Sequence, residues 1–221
     1  MTWVKICGMT NLEDALVAVD AGADAVGFVF YEKSPRCVSV ETAREIVRKL
    51  PANVEKVGVF VNRQEDSICN VLEKTGITAV QMHGDNEDPH VADLLVQRWP
   101  GTKVLPAISM KRADPENCAM MWQPDSVFAF LLDSGTSSQL GGTGEVFDWR
   151  SSSASLNVIR DLGRVVAAGG LRVTNVVNAI DALKPWGVDV VSGVEARPGK
   201  KDPEKVRAFV RAVREYDRKV C

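Results

Sequence analysis

The sequence has no C-x-x-C pair, no apolar run approaching 18 residues and no marked excess of charge of either sign. Each absence excludes a class of protein. Its five cysteines, Cys7, Cys37, Cys69, Cys118 and Cys221, are scattered and have no histidine cluster beside them. A zinc site or a disulfide framework is therefore not expected, no metal ligand set is visible, and a reducing compartment is the simpler assumption. Without a long apolar run, no membrane span is expected. The opening stretch, Met1-Thr2-Trp3-Val4-Lys5-Ile6-Cys7-Gly8, reads as a strand. It lacks the basic region and apolar run of a signal peptide, which makes a cytoplasmic protein the expectation. Lys plus Arg is 27 against 29 for Asp plus Glu, a formal charge of −2. That balance argues against nucleic acid or a membrane surface as a partner held by bulk charge.

What is present is an ordinary soluble mix, 45% apolar and 25% charged, in 221 residues. This length fits one large domain or two small ones, and it suffices to bury a core without covalent staples. Along the chain, short apolar runs alternate with stretches of helical spacing. Val4 to Cys7 is the first strand. Thr10-Asn11-Leu12-Glu13 has the form of a capping box with Thr10 as N-cap, and Leu12, Ala15, Leu16 and Val19 share one helical face. Ala25 to Phe30 is a continuous apolar run, suited to a strand covered on both sides. Ser39 heads the second helix, and later strands are read at 57–61, 77–82, 103–107, 127–132, 164–168 and 188–191. The fifth helix, around 110–122, contains Pro115. The sixth is expected to begin near Asp148-Trp149. The last begins at Asp202-Pro203, an N-cap followed by proline at the first helical position. Gly22, Gly76 and Gly187 each read as a helix-ending glycine before a strand, spaced in units of about 28 residues.

Strict alternation of strand and helix implies a parallel sheet. Eight units in a chain of this length fit a closed (β/α)8 TIM barrel, an α/β fold formed by residues 1–221 as one domain. The rival, an open doubly wound sheet, would use five or six strands and often a glycine-rich loop after the first; Gly8 alone does not supply that loop.

In a barrel, chemistry sits where the strands end and the following loops begin. Few polar residues meet that condition. Cys7, with Lys5, closes the first strand; its thiol is either a small apolar filler or a proton acceptor whose pKa is lowered by a cation such as Lys5. Asp133 follows an apolar strand and is either a loop cap or a partly desolvated general acid. The connection from Asp133 to Phe147 is the longest, and Gly141-Gly142-Thr143-Gly144 makes it pliable, as in a lid. Arg36 could clamp a carboxylate or lie at the surface. His83 lines the pocket or makes a structural hydrogen bond, Gln81 and Asn62 also end strands, and His90 reads as surface. Gly169-Gly170 and Ser192-Gly193-Val194 fall in the loops after the seventh and eighth strands, where barrels often bind phosphate against a short extra helix. Lys200-Lys201 reads as a solvated charge pair.

Several of these segments stand in a familiar order: Lys5-Ile6-Cys7-Gly8, Gly27 to Phe30, Ser34-Pro35-Arg36, Val57 to Asn62, Val80 to Gly84 and Leu131-Leu132-Asp133. They continue with Gly141 to Gly144 and Phe147-Asp148-Trp149, Ala168 to Leu171, and Ser192 to Glu195 with Pro198 to Asp202. Together, from residue 3 to about 210, they resemble the phosphoribosylanthranilate isomerases of tryptophan biosynthesis. The resemblance implies a cofactor-free Amadori rearrangement of N-(5-phosphoribosyl)anthranilate, with Asp133 as general acid and Cys7 as general base. It also implies that Arg36 binds the anthranilate carboxylate, that Lys5, Gln81 and His83 line the substrate site, and that Gly169, Gly170, Ser192, Gly193 and Val194 bind phosphate. No second catalytic domain is expected, and monomer and homodimer both stay open. Arg172-Val173 departs from the family's polar residue and proline after the Gly-Gly-Leu motif. A metal-dependent or paired-aspartate phosphosugar barrel and a catalytically dead barrel are the rival readings; the presence of both Cys7 and Asp133 argues against each.

Overall fold

The computed structural model describes residues 1–62, 64–84, 87–133 and 153–220. Eight parallel strands alternate with eight helices: β1 (Trp3–Cys7), α1 (Leu12–Asp20), β2 (Ala25–Val29), α2 (Val40–Val47), β3 (Glu55–Phe60), α3 (Glu65–Thr75), β4 (Ala79–Met82) and α4 (Pro89–Arg98). The second half follows with β5 (Lys103–Ser109), α5 (Pro115–Met120), β6 (Phe130–Asp133), α6 (Ser153–Leu162), β7 (Val165–Ala167), α7 (Val176–Leu183), β8 (Gly187–Val190) and α8 (Pro203–Val220). A two-stranded antiparallel hairpin, β9 (Glu195–Arg197) with β10 (Lys200–Lys201), lies between β8 and α8. The eight long-range strands pair in chain order and close when β8 pairs with β1. This is the (β/α)8 barrel expected from the alternation.

Strand parity sorts the side chains into two layers. On β1, Val4 and Ile6 join the apolar layer between barrel and helices. Trp3, Lys5 and Cys7 take the other parity and face the barrel interior, where Lys5 reaches Gln81 of β4. The N-terminal end of the barrel is plugged by aromatics: Trp3 stacks on Trp186 at 5.2 Å, and Phe128 meets Trp186 edge-on at 5.3 Å. The Arg164 guanidinium lies over both the Phe128 and Trp186 rings. Closing that end leaves the C-terminal ends of the strands as the open face. The last helix locks the ring, since Asp217 of α8 accepts hydrogen bonds from the backbone and hydroxyl of Thr2, just before β1.

Several boundaries differ from the sequence reading, each for a local reason. The N-cap of α1 is Asn11, whose side chain accepts from the Asp14 backbone N–H at 2.9 Å and donates to the Asp14 carboxylate. Thr10 instead donates its hydroxyl to the Gly199 carbonyl. An Asn11→Ala change is expected to cost about 1 kcal/mol of stability, read as a lower urea midpoint. The fifth helix is shorter than expected because Pro115 occupies its first turn, where a missing N–H costs nothing. Strand β6 starts at Phe130 because Phe128, apolar as it is, serves the aromatic plug. Gly187 is a residue of β8 and ends no helix; Lys184, at φ +42°, ends α7 in the left-handed conformation. Gly187 is required instead because a Cβ there would lie 2.9 Å from the Trp3 carbonyl oxygen. The expected start of the sixth helix at Asp148-Trp149 lies outside the described residues.

Candidate active site

The strand ends open on one cavity. Strand β1 contributes Cys7, β4 contributes Gln81 with His83 just beyond it, and β6 contributes Asp133. The loops add Arg36 after β2, Gly169 and Gly170 after β7, and Ser192 after β8, while Asp189 comes from β8 itself. The residues singled out in sequence as acid and base thus line the same space.

Cys7 fits because of what stands beside it. It pairs in register with Gly27 of β2, and a Cβ at Gly27 would lie 2.5 Å from the Cys7 sulfur. Any side chain at that inward position would displace the thiol. Burial pushes the Cys7 thiol up, and the positive charge and hydrogen bond of Lys5 only partly oppose this. The expectation of a lowered thiol pKa is therefore corrected: at 4% exposure, loss of hydration outweighs the cation.

Lys5 does not line the cavity, contrary to the sequence reading. It is completely buried one layer beneath Cys7 and donates to Asp189 Oδ1 and Gln81 Oε1, each at 2.9 Å. Burial works against its charge, but the Asp189 carboxylate and the neighbouring Cys7 sulfur more than offset this, and its pKa is raised. Lys5 is a fixed cation under the thiol. Asp189 and Gln81 hold it there, and they also reach the cavity wall.

Asp133 ends β6 with 7% exposure, and its carboxylate Oδ2 lies 3.7 Å from His83 Nε2. The pliable segment expected to act as a lid after Asp133, including Gly141 to Gly144, lies outside the described residues. Arg36 is at the cavity, but one of its edges is already used: Nε and Nη2 donate to the two carboxylate oxygens of Glu195 at 2.9 and 2.7 Å.

The loops after β7 and β8 meet closely. Gly169 and Gly170 have φ of +81° and +65°, conformations that side chains disfavour, and so turn their backbone toward the cavity. Asn175 secures this turn by donating to the Gly170 carbonyl and accepting from the Arg172 N–H. Arg172-Val173 is thereby accommodated without the proline usual in the resembling family. A Cβ at Gly193 would lie 1.9 Å from the Leu171 carbonyl oxygen, so only glycine lets the two loops touch. Ser192–Val194 forms a single 3-10 turn. Ser192 lines the cavity; Gly193 and Val194 do not, and the Val194 side chain is buried in the core.

Three site residues went without a role in the sequence reading: Asp189, Glu195 and Lys201. Parity exposes the first, because a charged residue alternating with Val188 and Val190 must face the barrel interior. Lys201 is a correction. Lys200 is a half-buried partner of Glu13 and Asp14, but Lys201 is only 1% exposed and pairs with Glu195 at 3.2 Å. Its place in the short strand β10 turns it inward, which a Lys-Lys dipeptide does not reveal. Among the described residues, no three His, Cys, Asp or Glu side chains are grouped to hold a metal ion. No described helix is long and apolar enough to cross a membrane.

A closed (β/α)8 barrel with a carboxyl and a thiol lining one cavity at the C-terminal ends of its strands places the protein among the barrel enzymes. Comparison narrows the class. A family model described as N-(5'-phosphoribosyl)anthranilate (PRA) isomerase matches residues 4–212, and the chain belongs to that family. The N-(5'-phosphoribosyl)anthranilate isomerase of Geobacter sp. strain M21 is 47% identical over 211 residues, covering 95% of this chain and 97% of the relative. Monomers generated from the dimeric phosphoribosylanthranilate isomerase of Thermotoga maritima superpose with a TM-score of 0.82 at 41% identity, covering 97% of this chain and 100% of that one. A phosphoribosylanthranilate isomerase in complex with reduced 1-(o-carboxyphenylamino)-1-deoxyribulose 5-phosphate gives a TM-score of 0.83 at 40% identity, with the same coverage.

Proposed function

We propose that this protein carries out the isomerase step of tryptophan biosynthesis, converting N-(5-phosphoribosyl)anthranilate into 1-(2-carboxyphenylamino)-1-deoxyribulose 5-phosphate, with Asp133 and Cys7 as its acid–base pair. The observation that carries this reading is the cavity that Cys7, Asp133, Arg36 and the Gly169-Gly170 turn share in a chain of this family. The ligand named for the related structure has a carboxylate, a hydroxylated chain and a phosphate. Each has a counterpart here: Arg36 for the carboxylate, the space between Cys7 and Asp133 for the sugar, and the loops after β7 and β8 for the phosphate.

In this scheme the Asp133 carboxyl donates its proton to the ribose ring oxygen as the C1–O bond breaks. The anilinic nitrogen lone pair then forms the C=N bond of a Schiff base. The Cys7 thiolate removes the C2 proton, and the C–H electrons pass into C1=C2 as the C=N π electrons return to nitrogen, giving an enolamine. Return of a proton to C1 and loss of the O2 proton yield the ketone, so the reaction is redox-neutral overall. Lys5 stabilises the thiolate from below, and His83 stands beside the acid. Gln81 is shared between Lys5 and the cavity wall. Ser192, which lines the cavity at the start of the Ser192–Val194 turn, stands with Gly169 and Gly170 on the phosphate side of the site.

The direct test is to generate the fluorescent substrate in situ and follow its loss with the purified protein. Unchanged fluorescence would overturn the reading. An Arg36→Ala change is expected to raise KM about tenfold or more while kcat changes less, since it removes a charged hydrogen-bond donor from binding; an unchanged KM would count against the clamp. The dimer described for the Thermotoga maritima relative extends to this chain as a proposal, checked by sedimentation velocity. Placement in the cytoplasm is supported by the free thiols Cys7, Cys37, Cys69 and Cys118.

A further inference from the structure

We propose that Glu195 is a positioning residue for the isomerase reaction: it converts Arg36 from a loop side chain into a fixed donor at the cavity wall and ties it to the β8 loop. The inference rests on the reading of Arg36 as the carboxylate-binding group. It starts from an unusual concentration of bonds on one buried carboxylate. Glu195 Oε1 accepts from Arg36 Nε at 2.9 Å, Lys201 Nζ at 3.2 Å and the Gly199 N–H at 3.3 Å, while Oε2 accepts from Arg36 Nη2 at 2.7 Å. The Glu195 backbone carbonyl also accepts from Lys205 Nζ at 2.9 Å. Despite burial, which raises a carboxyl pKa, Arg36 and Lys201 hold Glu195 below its ordinary value.

The arrangement is directional. A guanidinium has two donor edges, and Glu195 takes the Nε–Nη2 edge in a two-pronged pair. Arg36 still lines the cavity, so its Nη1–Nη2 end remains to meet a planar substrate carboxylate. The aliphatic stem is fixed as well: it crosses Gly8, where a Cβ would lie 2.8 Å from Arg36 Cδ. Lys201, itself buried, donates to the Val191 carbonyl at 3.1 Å, immediately before the Ser192–Val194 turn. A short chain of contacts therefore runs from Arg36 through Glu195 and Lys201 to the loop read as the phosphate site. A long, flexible arginine that must be ordered on binding loses affinity to side-chain entropy, and one already held in place does not. The same chain sets the distance between the two anion-binding ends of the site, which favours substrates carrying a carboxylate and a phosphate at that separation.

The test is a double-mutant cycle. Glu195→Gln keeps the shape of the side chain but removes the charge and one acceptor oxygen. KM is expected to rise about tenfold with kcat within about threefold, because the lost pre-positioning acts on binding. In an Arg36→Ala background, the same Glu195→Gln change is expected to leave KM unaltered, since there is nothing left to position. If Glu195→Gln does not fold, Glu195→Gln with Lys201→Met removes a buried cation together with the carboxylate and is expected to show the same KM rise. An unchanged KM in the folded variant, an equal KM factor in both backgrounds, or a collapse of kcat at constant KM would each overturn the proposal. Failure of the underlying reading looks different: there the wild-type protein is inert toward the substrate, or Arg36→Ala itself leaves KM unchanged.

Discussion

Cys7→Ala is expected to lower kcat by about 10²-fold or more, with KM close to that of the unmodified protein. The expectation follows from where the thiol sits. Gly27 leaves space for the sulfur and little else, so removing it opens a small hole without moving β1 or β2. The Gly169-Gly170 turn and Arg36 stand apart from the change and continue to hold the substrate. What disappears is the acceptor for the C2 proton. With substrate deuterated at C2, the residual activity is expected to show a larger primary isotope effect, because proton removal then limits turnover. Near-normal turnover would remove Cys7 from the role of base.

The state of that thiol is itself measurable. Burial holds the Cys7 pKa above its ordinary value, so the thiolate that the proposed base requires grows as pH rises. Alkylation of Cys7, followed by peptide mass mapping, is expected to reach its midpoint on the alkaline side of a free small-molecule thiol. A midpoint on the acid side would show that Lys5 outweighs desolvation. Lys5→Met removes the larger of the two positive charges, Lys5 and Lys201, that oppose desolvation at the sulfur, and is expected to move the midpoint further up.

Much of this molecule could be read from its chain. The alternation of apolar runs and helical stripes leads to eight units, and the rule that barrel chemistry sits at strand ends selects Cys7, Asp133 and the two glycine loops from 221 residues. What escaped was whatever depends on partners distant in sequence. Lys5 stands next to Cys7 in the strand and so looked like a contact for substrate. Its actual partners, Gln81 and Asp189, are 76 and 184 residues away. Glu195 and Lys201 escaped for the same reason, since their burial depends on Arg36 arriving from the loop after β2. The sign of the Cys7 shift also needed three dimensions: a neighbouring cation is visible in sequence, but the degree of desolvation opposing it is not. Strand parity was the unused signal. Trp3, Lys5 and Cys7 share one face of β1, and a lysine between an aromatic plug and a reactive thiol must find a buried counter-charge.

Asp133→Asn tests the other half of the chemistry and is expected to cost about 10²-fold or more in kcat. The amide has nearly the shape of the carboxyl, so β6 should keep its register with Ser109 and its backbone bond from the Met110 N–H. It cannot, however, give up a proton to a ribose oxygen as the ring opens. The stability of the fold is expected to change little, because the substitution removes a largely buried ionisable group and leaves a polar one of equal size beside His83. The isotope effect separates the two variants. When ring opening limits turnover, the C2 proton is removed after the slow step, and the deuterated substrate is expected to react at nearly the same rate as the ordinary one. A small effect in Asp133→Asn alongside a large one in Cys7→Ala assigns ring opening to the acid on β6 and proton removal to the base on β1. The reverse pattern would exchange the two roles, and full activity in Asp133→Asn would leave ring opening to a different group on the cavity wall.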